Sequence, residues 1–246
     1  MPFDLLFIIL GLVIGSFLAA YSYRLPKDIS IAEGRSFCPN CKKQIEWYDN
    51  IPLISFLLLM GKCRQCHSPI SYRYFLIELS TALGFLAISK TSGDLINLIF
   101  MLIMFSILVL IFVIDFENQI IPDNLVFAGI LLTFVKLLLV DNRSLFEALL
   151  SGFLASSFLF AIHLITKGKG MGLGDVKFAI LGGLLMGPKL SFIWLFLSFL
   201  TGALVGIILI IGKAAKFKDK IAFGPFLIIG LVATYIWGRN LLFLIF

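Results

Sequence analysis

Four cysteines and two aspartates stand out because their types and spacing suit chemistry. The cysteines form two pairs, Cys38-Pro-Asn-Cys41 and Cys63-Arg-Gln-Cys66. Two C-x-x-C turns can offer four thiolates to one tetrahedral ion, the geometry of a closed structural Zn2+ site. Pro39 and Gly61 suit the chain reversals that such turns require. A four-thiolate site has no open coordination position, so the expected metal organises the segment and does no chemistry. None of the cysteines lies in the apolar runs, which argues against a disulfide framework. Between the pairs, Ile45, Trp47, Ile51, Leu53, Ile54 and Phe56 are candidates for a small core around the ion. A segment of about 40 residues rarely folds without such a staple.

The aspartates sit at the borders of apolar runs. Asp115 follows one such run, and Asp175 follows Gly170-Met171-Gly172-Leu173-Gly174. If two carboxylates at the same depth meet, they share a proton and titrate as a coupled pair. The ionised member then activates water and the protonated member polarises a scissile carbonyl. Gly172 and Gly174 lack side chains and would let a substrate backbone approach. Each acid also has a structural reading, and spacing alone leaves both open. Asp115, beside Glu117 and Asn118, suits an interfacial helix end, and Asp175 suits a helix N-terminus. Asp123 follows Pro122 and is read as an acidic helix start. Glu78 is expected to be a paired buried acid, and His67 and His163 to be structural.

The elements that must position these residues are membrane helices. The chain has 246 residues, 60% hydrophobic and 14% charged, with a mean hydropathy of +1.06. A soluble domain is nearer 45–50% apolar and about 25% charged. Apolar segments recur at 3–21, 74–89, 95–114, 120–140, 145–165, 176–186, 190–211 and 222–242. Most approach the roughly 20 residues needed to cross the hydrocarbon. The sixth is short and holds Gly182 and Gly183, so a tilted or partial span is expected there. Another apolar run, 51–60, is too brief to cross. The first segment lacks a basic n-region and a clear cleavage site, and reads as a retained span.

The net charge of +6 does not point to nucleic acid, because the basic residues sit in loops between apolar runs. With the N-terminus outside, fifteen of them fall on inside loops and four on outside positions. That bias places the cysteine segment and the loops near Asp115 and Asp175 in the cytoplasm. The expected fold is an all-α polytopic membrane helix bundle of about eight spans with a small cytoplasmic zinc-binding loop domain. Residues 1–22 form its first transmembrane helix, 23–73 the zinc-knuckle loop and 74–246 the remaining transmembrane core.

The chain resembles the bacterial type IV prepilin peptidases, members of the G-x-G-D class of membrane aspartic proteases. The resemblance rests on Gly15-Ser16-Phe17-Leu18 and Tyr23-Arg24-Leu25-Pro26, on the cysteine pairs, and on Trp47-Tyr48-Asp49-Asn50-Ile51-Pro52. Later, Asp115-x6-Pro122-Asp123, Gly172-Leu173-Gly174-Asp175-Val176-Lys177 and Phe223-Gly224-Pro225-Phe226 are similar to family signatures in the same order. It implies that Asp115 and Asp175 are the catalytic pair and that residues 74–246 form the protease core. It implies a bacterial inner-membrane protein with a periplasmic N-terminus, surrounded by membrane lipid. Its substrates would be type IV prepilin or pseudopilin precursors, cut on the cytoplasmic side between a basic leader and an apolar helix. Many members also N-methylate the new amino terminus with S-adenosylmethionine, although the sequence carries no recognisable methyl-donor fingerprint. The rival reading is a membrane transporter or scaffold whose intramembrane acids bind protons or cations. Transport does not account for the G-x-G-D and cysteine-loop combination.

Overall fold

The computed structural model of the chain describes residues 2–30, 36–140, 144–214, 216 and 221–245. Of the basic residues in the charge bias, Arg35, Arg143, Lys218 and Lys220 lie outside the described residues, as does the Arg239 side chain. The secondary structure is helical: α1 (Pro2–Arg24), α2 (Ile54–Leu58), α3 (Tyr72–Thr91), α4 (Leu95–Asn118), α5 (Asp123–Leu139), α6 (Leu145–Ile165), α7 (Leu173–Ile211) and α8 (Gly224–Ile245). No strand longer than an isolated bridge forms among the described residues.

All eight apolar segments are helical, and among the described residues four helices have the length and hydropathy of a membrane crossing. These are α1 with the turn that follows it, α4, α6 and α7. These four do not establish the expected count of eight crossings. The reasons are local. The α3 helix carries Arg73, Glu78 and Lys90, and α5 has only 17 residues. The sixth and seventh segments are two helices that meet end to end at Gly187, where the backbone leaves the helical region, and α7 covers both. Pro188 cannot donate a helical hydrogen bond and crowds the residue before it. Gly187 accommodates the bend at φ 74°, where a side chain would be strained.

The chain divides into two compact units, Met1–Leu110 and Ile111–Phe246. In the first, α1 packs along α3. Gly11, Gly15 and Ala19 recur every fourth residue, so small residues form one stripe of α1. A Cβ on Gly15 would stand 2.8 Å from the Glu78 Cα, so this approach requires glycine. In the second unit, α7 packs on α5, α6 and α8. Its centre is Trp194, fully buried, whose indole Nε1–H donates to the Leu227 carbonyl at 2.7 Å. That bond satisfies a polar group which would otherwise be buried alone.

Candidate active site and metal centre

The cysteine segment folds as two copies of one turn. In the first, the Lys42 N–H donates to the Cys38 carbonyl, and the Cys38 N–H to the Lys43 carbonyl, both at 2.9 Å. In the second, the His67 N–H donates to the Cys63 carbonyl, and the Cys63 N–H to the Ser68 carbonyl, again at 2.9 Å. Lys42 and His67 occupy the same position in each turn and both take positive φ, 61° and 55°. Gly61 has φ 67°, as its place beside a reversal suggested. His67 thus serves the backbone of its turn.

The four Sγ atoms lie within 4.8 Å of one another, and those of Cys38 and Cys66 are 3.9 Å apart. A tetrahedron with Zn–S bonds of about 2.3 Å has S···S edges of about 3.8 Å. The donor set therefore fits a structural zinc ion. Hydrogen bonding favours the thiolate at two of the four: the Ser68 hydroxyl lies 3.0 Å from Cys66 Sγ and, with the Ser68 N–H, draws that thiol down to about 6, whereas Cys41 is pushed up to about 11. Cys38 is lowered despite its burial, because the N–H groups of Cys41 and Asn40 donate to its sulfur. A thiolate is the form that binds metal.

The loop is joined to the helices of the first unit through Glu78. This acid is buried, its Oε2 accepts the Leu53 N–H at 2.8 Å, and the Ser16 side chain also stabilises its charged form. Glu78 is thus the paired buried acid expected from sequence, and its partners are a backbone amide and a hydroxyl. Leu53 has φ 56°, a strained value for a branched residue, and the carboxylate holds the backbone there.

The aspartates belong to the second unit. Asp115 lies in the last turn of α4, is 4% exposed, and accepts the Gly224 N–H on Oδ2 at 3.0 Å. Asp175 lies in the first turn of α7, is 8% exposed, and accepts the Gly172 N–H on Oδ2 at 3.0 Å. The expected helix-terminal reading of Asp175 is correct in geometry, since this bond is half of a capping box. It also fixes the carboxylate. Ile121 packs against Gly174, next to Asp175, and against Gly224, which holds Asp115, so the two acids of the sequence motifs are brought to one place from positions 60 residues apart.

Ile121 fills the angle between the two motifs. A Cβ on Gly174 would lie 3.0 Å from the Ile121 Cβ, and one on Gly224 would lie 3.2 Å from its Cδ1. A Cβ on Gly172 would stand 3.1 Å from Asp175 Oδ2. The glycines of G-x-G-D thus sit in tight packing around the carboxylates, where a side chain would press on Ile121 or on Asp175 itself. Gly224 was not foreseen as a site residue. Its Gly-Pro sequence signals a helix start, but not a contact 109 residues away. A Cβ there would come 2.5 Å from Asp115 Oδ2. Gly224→Ala is expected to displace Asp115 and reduce turnover about 10²-fold, with the helices intact. Kinetics beside circular dichroism would check this.

Asp123 does not cap α5 with its side chain; Pro122 occupies the N-cap position. Its carboxylate instead meets Lys177 Nζ at 2.7 and 2.8 Å, in an exposed pair linking α5 and α7. Such a pair contributes at most about 1 kcal/mol. Asp123→Ala should therefore lower thermal stability slightly and change turnover by no more than a few-fold. His163 Nδ1 lies 2.7 Å from the Met171 carbonyl, a structural contact beside the glycine loop.

Two family models match the chain. The Bacterial Peptidase A24 N-terminal domain matches residues 9–91, and the Type IV leader peptidase family matches residues 102–207. The chain is 32% identical to a prepilin leader peptidase/N-methyltransferase of Bacillus subtilis, over 95% of its own length and 94% of the relative's. It is 36% identical to the protein of that name from Vibrio cholerae, over 75% and 78% of the two chains. For the one from Pseudomonas aeruginosa the figures are 32%, 98% and 92%. No solved structure gives a significant match. The apolar helices and these relatives make it an inner-membrane protein. Two matched models, near full-length relatives and aspartate and cysteine motifs in the same order place the chain in the type IV leader peptidase family.

Proposed function

We propose that this protein removes the basic leader from type IV prepilins and pseudopilins with an Asp115/Asp175 dyad, then N-methylates the new amino terminus. The observation that carries the proteolytic part is the convergence of two buried carboxylates from α4 and α7, each held by one backbone N–H. A carboxylate withdrawn from water among apolar helices costs free energy, so two buried together call for a functional reason. The ionised member accepts a proton from water as the oxygen attacks the scissile carbonyl. The protonated member donates a hydrogen bond to the carbonyl oxygen. Return of a proton to the leaving nitrogen completes the cleavage.

The cysteine cluster holds zinc as a structural ion through Cys38, Cys41, Cys63 and Cys66. The positive-inside bias supports a periplasmic N-terminus, with the cysteine loop and both aspartates on the cytoplasmic side. The methyl group comes from S-adenosylmethionine, which supplies an electrophilic carbon. A cavity of about 590 Å3 in the first unit has the mixed character that this zwitterionic, aromatic molecule needs, with Glu78, Arg24, Arg73, Tyr23 and Tyr74 in its wall. Purified protein with a prepilin precursor and labelled donor tests the proposal. Mass spectrometry should find the leader removed and one methyl group added to the mature amino terminus. An intact precursor under conditions where a known relative cleaves it would sink the reading.

A further inference from the structure

The apolar run 51–60 is too short to cross a membrane, and neither the metal centre nor the aspartate pair uses it. Its short helix α2 has two unlike faces. Phe56 turns inward, with its ring centroid 5.4 Å from that of Tyr72 and 5.5 Å from that of Phe75. Ser55 is buried and donates to the Tyr48 carbonyl at 2.8 Å. The opposite face carries Ile54, Leu57 and Leu58, followed by Met60, and these are 54%, 64%, 76% and 85% exposed. Large apolar groups clustered this way on a polar loop mark a contact surface.

The chain around the run identifies what lies against it. Phe56 packs on the first turn of α3, and α3 packs along the membrane-crossing α1. From that first turn, Tyr72, Leu76 and Leu83 are exposed along α3, at 73%, 60% and 57%. The exposed apolar face of α2 thus lies beside a helix that itself exposes apolar side chains and packs along a membrane-crossing one. On the α1 side, Trp47 and Pro52 share a recess with Val13, Phe17 and Tyr21, and Val13 and Phe17 are themselves exposed on the crossing helix. Trp47 is 73% exposed, and Lys62, also exposed, lies four residues beyond the end of α2. Tryptophan, tyrosine and lysine beside apolar groups are the composition of a membrane–water interface.

We propose that the segment Trp47–Met60 is an interfacial foot, which inserts Trp47 and the Ile54, Leu57, Leu58 and Met60 face into the headgroup–acyl boundary of the bilayer. Lys62 meets the anionic headgroups above it. The foot ties the metal loop to the membrane surface independently of any substrate. If the proposed function holds, it also keeps the loop at the depth where a helix rooted in the bilayer presents its amino terminus.

Tryptophan quenching in vesicles of full-length, zinc-loaded protein tests this. Trp194 is buried, so Trp237→Phe protein, with and without Trp47→Phe, isolates the Trp47 signal. Leu58→Trp in the doubly substituted background gives a second reporter. The vesicles contain phosphatidylglycerol and phosphatidylcholine, the latter brominated either near the headgroup or near the chain end. Interfacial segments sit about 5–10 Å into the boundary, so bromine near the headgroup should quench both reporters about twofold more than bromine near the chain end. Aqueous iodide should quench them weakly. Strong iodide quenching without bromolipid quenching would place the face in water and overturn the proposal. Protection from both quenchers would mean that protein covers the face, and would overturn it equally. Zinc content measured on each variant confirms that the loop has folded.

Discussion

Asp115→Asn and Asp175→Asn are each expected to lower prepilin cleavage by about 10²–10⁴-fold while leaving the fold unchanged. The expectation of an intact fold comes from the hydrogen bonds. Asp115 accepts from Gly224, and Asp175 accepts from Gly172. An asparagine carbonyl oxygen can accept the same N–H, so neither backbone donor is left buried and alone. The substitution removes the carboxylate's ability to take up and release a proton, which is the step water activation needs. The two losses should not multiply in the double variant, because a dyad that shares one proton works as a unit. Cleavage kinetics on a prepilin precursor, beside thermal unfolding of each variant in detergent, provide the check. A single Asn variant that cleaves at the parental rate would remove the dyad from the mechanism.

Loss of the metal should have an effect as large on structure as the aspartate changes have on rate. Structural zinc sites in small domains contribute about 10–16 kcal/mol of apparent binding free energy, and this is also folding free energy. Residues 36–70 carry little regular secondary structure, and their side-chain ties include the Arg64–Asp49 pair, the Phe56 ring contacts, the Ser55–Tyr48 hydrogen bond and the Leu53–Glu78 hydrogen bond. A strong chelator, or Cys38→Ser with Cys66→Ser, should release zinc and open this segment to limited proteolysis. The helices of the second unit should keep their thermal transition, since their core around Trp194 contains none of the cysteines. Elemental analysis with mass spectrometry of the proteolytic fragments separates the cases. A loop that stays protease-resistant without metal would show that the cysteines are not its staple.

Much of the candidate chemistry was legible in residue type and spacing. The C-x-x-C pairs announce a tetrahedral donor set because each turn is local, with its hydrogen bonds closing within about six residues. The apolar segments announce helices because lipid forces the backbone to bond internally. The positions of Asp115 and Asp175 at the ends of such segments follow from the same hydropathy. The count of crossings was less legible. Hydropathy separates the two segments of α7 at Gly187 and Pro188, where the backbone leaves the helical region, but it does not settle whether the more polar α3 and the shorter α5 cross.

What the sequence determined by itself is therefore what depends on near neighbours: the helical class, the metal turns, the glycines beside Asp175 and the acidic start of α5. The tertiary structure decided which distant groups meet. It brought Gly224 to Asp115 and packed Ile121 against Gly174 and Gly224. It gave Asp123 the partner Lys177 and gave Glu78 the strained amide of Leu53. These contacts join residues from 25 to 109 positions apart. Turn chemistry and helical periodicity are set by interactions within a few residues. A pairing between helices depends on which faces pack, and that is settled only when every helix competes for the same core.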